Sequence, residues 1–181
     1  MPTSIVDLTK LTSKDDLSPV LGGYWPGIQI YYPPIKFNPL DGTYETMEQA
    51  KFRLQKHAYK TKAHTLLFDL EDGCRMKEMS RKLLLEELPK FPERDFQIAL
   101  RVNPFRTKEY EEDLILIKQI HKHIDVIVLA KAGEVYGDAE IRDLSSWLVS
   151  IGSKVTIQPI IEHPKSLKIA DKLMSHSTVN H

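Results

Sequence analysis

Cysteine is almost missing from this chain. Cys74 stands alone among 181 residues, so no disulfide forms within it, which suits a reducing compartment. No apolar run approaches the roughly 20 residues that cross a bilayer. Charge of one sign is missing too: 25 Lys and Arg balance 25 Asp and Glu. That balance argues against a broad electrostatic hold on nucleic acid or an anionic membrane. No glycine-rich phosphate loop follows a strand, since Gly22 and Gly23 precede the first one, and the nucleotide fingerprints fail. The seven histidines are scattered, and no Cys/His spacing fits a metal. The start, Met-Pro-Thr-Ser-Ile-Val-Asp, lacks the basic and apolar regions of a signal peptide. These absences together predict a cytoplasmic protein with no nucleic-acid or membrane partner.

What is present is organised around residues 64–74, His-Thr-Leu-Leu-Phe-Asp-Leu-Glu-Asp-Gly-Cys. An apolar run here reads as a buried strand. Three acids follow at once, Asp69, Glu71 and Asp72, and Gly73 closes them. Carboxylates at the end of an apolar strand are costly unless paired or metal-bound. The cluster reads either as a site or as a strand running into an ordinary Asp–Gly turn.

Around it, strands and helices alternate. Residues 1–26 read as an irregular arm, 27–174 as one α/β domain and 175–181 as a polar tail. Strands are expected at 27–32, 64–74, 96–103, 125–131 and 154–162. Helices are expected at 44–62, 76–88, 108–123 and 138–150, with a last one beginning near Pro164. Gly152 reads as a C-cap. Trp25 and Trp147 read as core or cap aromatics, and the lysines of 51–62 as the wet face of a helix. Alternation of this kind means a parallel sheet flanked by helices, with any site at the carboxyl ends of the strands.

The strand ends are charged. The second carries Glu71 and Asp72, the third Arg101 and Asn103, the fourth Lys131 and the fifth Glu162. Strict alternation puts Asp69 with Glu71, Ala99 with Arg101 and Asn103, Leu129 with Lys131, and Gln158 with Glu162 on one face. Phe68, Leu70, Leu100, Val102, Val128, Ile157 and Ile161 fall on the other. A barrel predicts apolar residues outward and polar ones converging inside its top. Acids beside an arginine, with no Cys/His cluster, suggest a hard cation such as Mg²⁺ and an Arg101 that clamps a carboxylate.

Four motifs carry a resemblance. Leu66-Leu-Phe-Asp-Leu-Glu-Asp-Gly73, Arg101-Val-Asn-Pro104, Val126-Ile-Val-Leu-Ala-Lys-Ala132 and Pro159-Ile-Ile-Glu162 resemble, in order and spacing, the citrate lyase beta-subunit-like proteins of the HpcH/HpaI aldolase and malyl-CoA lyase group. The resemblance implies a TIM-like (β/α) barrel of the pyruvate-binding type. It implies Mg²⁺-dependent carbon–carbon bond cleavage on a citryl- or malyl-like thioester, with coenzyme A as the carrier. Glu162 matches the metal-binding glutamate, and Arg101 the arginine that holds the substrate carboxylate. Glu71 and Asp72 match the acids lining the site. Asn103 and Lys131 are expected to touch substrate, and Lys36 reads either as a contact to the carrier or as a solvent-exposed loop lysine.

There are departures. Ala130 stands where the family has proline, and His163 where it has a small hydroxyl residue. A full barrel needs eight βα units in about 250 residues; five are visible here. The expectation is therefore an incomplete barrel, or alternatively an open five-stranded parallel sheet. An exposed edge and inner surface would favour a homo-oligomer. Two further readings stay open: a thioester hydrolase on the same site, and a catalytically inactive half-barrel acting as partner or scaffold.

Overall fold

The computed structural model describes residues 28–170. The expected arm at 1–26, Trp25 and the tail at 175–181 lie outside the described residues.

The first strand, β1 (Gln29–Tyr32), ends at Pro33 and Pro34, because proline has no N–H for the ladder. A hairpin follows, β2 (Phe37–Asn38) and β3 (Thr43–Tyr44), paired antiparallel. Gly42 takes φ 72° in its turn. The Asp41 carboxylate accepts from the Thr43 amide at 2.9 Å and from Asn38 Nδ2 at 2.7 Å. The sequence predicts a helix from residue 44, at the end of this hairpin. The helix α1 (Met47–Lys60) starts later. Thr46 caps it, and Gln49 returns a bond to the cap amide at 2.9 Å, a capping box. Ala50, Leu54 and Ala58, at helical spacing, are its buried face.

Then come β4 (Thr65–Asp69), buried at every position, and α2 (Lys77–Glu87), which tightens into a 3₁₀ turn at Leu88–Lys90 around Pro89. After them lie β5 (Gln97–Val102) and α3 (Lys108–Ile120), the latter capped by Thr107. Next are β6 (Val126–Leu129) and α4 (Asp138–Ser150). The last are β7 (Thr156–Pro159) and a 3₁₀ segment, Pro164–Ile169, where a helix was expected. The strands are shorter than the sequence suggested, so Lys131 and Glu162 lie beyond strand ends and not on them.

The main sheet has the order β1-β4-β5-β6-β7, parallel throughout. Each strand sits beside the next one in the chain, with no reversal. A doubly wound sheet reverses its order at a switch point; a barrel does not. The two faces agree with this. Leu66, Phe68, Ile98, Leu100, Val102, Ile127, Leu129 and Ile157 join the buried residues of all four helices in one large core. The opposite face is a small cluster of Leu67, Ala99, Val126 and Val128, with Ile160 against it and no helix residue. All helices therefore cover one side, as along the wall of a barrel. Closure is missing among the described residues: β1 and β7 are the sheet's edges.

One face assignment is corrected. Val128 pairs with Arg101 and shares the inner face, while Leu129 packs into the helix-side core. The expectation had them reversed. A parallel strand buried on both faces is apolar at every position, so its pattern holds no alternation to read.

Candidate functional site

Asp69 ends β4 and lies opposite Arg101 of β5 in register. The arginine's Nε and Nη2 donate to the two Asp69 oxygens at 2.8 and 2.6 Å, a bidentate pair. The same carboxylate accepts from the Glu71 amide at 2.9 Å and the Gly73 amide at 3.1 Å. A Cβ on Gly73 would meet Asp69 Oδ2 at 2.4 Å, so glycine permits that close approach. Burial works to raise the Asp69 pKa; the Arg101 bonds and the two amides outweigh it and hold the carboxyl below its ordinary value. The acid run thus forms a turn: Asp69 builds it, and the turn carries Glu71 and Asp72.

Glu71 is buried, its side chain only 2% exposed. Lys131 Nζ donates to its Oε1 at 2.7 Å, and Arg101 Nη1 lies 3.4 Å from Oε2. That second oxygen is buried without a hydrogen bond. Lys131 also reaches the exposed Asp72 at 3.1 Å. Hydrogen bonds to Glu71, then Asp72, push the Lys131 pKa up. Lys131 arrives by a backbone turn. It takes φ 57°, in the left-handed region, and the amides of Glu134 and Val135 both donate to its carbonyl at 3.0 Å. Without that turn its parity would send it to the helix side with Leu129.

The structure therefore brings together Glu71, Asp72, Arg101 and Lys131, from the ends of three adjacent strands. No hydrogen bond or ion pair among the described residues joins the other expected residues to them. Asn103 is buried on the helix side, where its amide and its Nδ2 both donate to Asp113 Oδ2 at 2.8 Å. Asp113 is in turn held by Arg81 Nε at 2.9 Å. Lys36 is exposed and lines a separate cavity of about 490 Å³ between the hairpin and α1, with Phe37, Phe52 and Arg53. Glu162 is exposed and has no ion pair among the described residues. One residue was missed. Tyr31 shares the inner face of β1 with Leu67, and its ring lies 5.4 Å from the Arg101 guanidinium carbon, a cation–π contact.

A divalent metal asks more of this site. Among the described residues no group of three His, Cys, Asp or Glu is gathered to hold an ion. Asp69, Glu71 and Asp72 already face cations. These side chains alone do not fit a magnesium site, which calls for near-octahedral oxygen ligands.

No protein-family model and no curated protein matches the chain. Solved structures do. RipC from Yersinia pestis aligns with a TM-score of 0.56 at 17% identity, over 84% of this chain and 54% of that one. The citrate lyase beta subunit of M. tuberculosis, complexed with oxaloacetate and magnesium, aligns with a TM-score of 0.53 at 17% identity, over 83% and 53%. The protein CitE of Mycobacterium tuberculosis, in complex with magnesium and pyruvate, gives 0.53 at 17%, over 82% and 49%. The chain spans about half the length of these structures. Its βα arc therefore has the fold of the citrate lyase beta subunits, the one that the four motifs suggested.

Proposed function

We propose that this chain carries part of a carbon–carbon lyase site, in which Arg101 and Lys131 hold the carboxylate of a small oxo- or hydroxy-acid. The observation supporting this is the convergence of both cations on buried Glu71, at 3.4 and 2.7 Å, in a fold whose solved examples include one complexed with oxaloacetate. The Arg101 fork is engaged by Asp69, so Nη1 is the arm left for a ligand. Lys131 is freed more readily. Its partner Asp72 is 71% exposed, and such an exposed pair contributes roughly 0–1 kcal/mol. An incoming carboxylate replaces Asp72 on the ammonium at little cost. The two fixed cations then favour negative charge developing on the bound acid, as at an enolate oxygen. Glu71 holds Lys131 in place, and Tyr31 shields one side of the guanidinium.

Magnesium belongs to this proposal only with added oxygen ligands. Glu162 supplies one carboxylate, and bound acid, further residues or another chain supply the rest. A homo-oligomer that covers the open β1 and β7 edges is one such source. A citryl- or malyl-CoA thioester is the proposed fuller substrate, with Lys36 toward the carrier. A second reading is favoured by the ligand count: without those additions the chain is an inactive partner or scaffold. Calorimetric titration of oxaloacetate into the 181-residue chain, with and without millimolar Mg²⁺, tests both readings. Binding that R101M and K131M each abolish supports the site. No heat in either condition supports the scaffold.

A further inference from the structure

Lys77 occupies a place that ordinary helix chemistry disfavours. It is the first residue of α2, where Met76 makes no side-chain cap bond. A cation there opposes the helix dipole, which favours acids in the first turn. A residue that breaks a local rule this way is expected to serve something else. Its Nζ makes three short contacts: the Leu70 carbonyl at 2.6 Å, the Glu71 carbonyl at 2.8 Å and Asn103 Oδ1 at 2.6 Å. An ammonium has three donors, so all are engaged.

The acceptors lie where the sheet stops helping. The Leu70 amide donates to the Arg101 carbonyl at 2.9 Å; beyond it the chain leaves the ladder while carrying Glu71 and Asp72. Asn103 stands just past β5, and Asp113 of α3 fixes it. A line of polar contacts thus runs from Arg81 through Asp113 and Asn103 to Lys77, and ends on the backbone of the acid-bearing turn.

We infer that Lys77 is a positioning residue: it locks the 70–72 turn of β4 against the end of β5 and so sets where Glu71 meets Lys131 and Arg101. The inference rests on the proposed acid-binding role for its functional consequence, but its structural half stands separately.

The experiment uses the full chain as wild type, K77M and K77R. Methionine keeps the stem and removes all three donors; arginine restores cationic donors. Oxaloacetate affinity and amide hydrogen exchange are measured well below each protein's unfolding midpoint. The expected result is exchange at residues 70–74 that quickens in K77M, affinity lower by roughly tenfold or more, and partial recovery of both in K77R. A folded K77M with wild-type affinity and unchanged exchange overturns the inference. If wild type binds no oxaloacetate, the function proposal falls, and exchange at 70–74 alone decides the positioning claim. If K77M does not fold, wild type decides: a Lys77 ammonium resonance that moves on adding oxaloacetate supports it, and an unmoved one overturns it.

Discussion

The ammonium of Lys131 lies 2.7 Å from Oε1 of Glu71, although the two residues are sixty positions apart in the chain. Glu71 follows β4 and Lys131 follows β6, so β5 separates their strands. The pair bridges across that middle strand, over Arg101 at its end.

Lys131 has two separable roles, charge and backbone. K131A removes the ammonium and leaves Glu71 with the longer Arg101 contact; the loss is expected to be about 1–3 kcal/mol, the cost of a buried group left without its partner. K131G removes the same charge but accepts φ 57° freely. It should be the more stable of the two by about 1 kcal/mol. Urea denaturation of both variants checks this. Equal midpoints would mean that the left-handed turn stores no strain.

Asp69 sets an acid limit on stability. Its carboxyl titrates below its ordinary value in the folded chain because Arg101 and two amides outweigh its burial. A carboxylate lowered on folding contributes stability that is fully present above its unfolded pKa, about 3.9 for Asp. That contribution drains away as pH falls through the lower, folded value. Wild type is therefore expected to lose stability below about pH 4 more steeply than D69N. Denaturation midpoints measured between about pH 3 and pH 6 decide it. Parallel curves would remove Asp69 from the account.

Gly133 joins the loop after β6 to the segment after β7. It takes φ 86°, and a Cβ there would meet the Ser166 Cβ at 2.4 Å. G133A should cost roughly 2 kcal/mol or more, from the left-handed backbone and the overlap together. S166G removes the opposing Cβ, so the double variant should recover part of the loss as a coupling energy. Strict additivity would show that the two segments do not meet.

Much of this architecture was legible in the sequence, for a physical reason. A parallel sheet with short connections writes itself as alternating apolar runs and amphipathic helices, and Pro33 and Gly152 mark ends by their own chemistry. The acid run at 69–72 and Arg101 announced a strand-end cluster because charge after an apolar run needs a partner. Other features left no such mark. The hairpin of 37–44 rests on two-residue strands, too short for a pattern. The face of β6 was hidden by its apolar uniformity. Lys131 reaches Glu71 through a non-glycine left-handed turn, which no periodicity encodes. Lys77 looked like any lysine opening a helix, and Tyr31 like any strand aromatic.

The central claim is that the charged tips of β4, β5 and β6 form one anion-holding pocket. Backbone amide resonances followed during an oxaloacetate titration test it most directly. The account predicts shifts concentrated at residues 70–73, 101–103 and 131–133, and lost in R101M. Shifts confined to the hairpin around Lys36 and Phe37, or none at all, would contradict it.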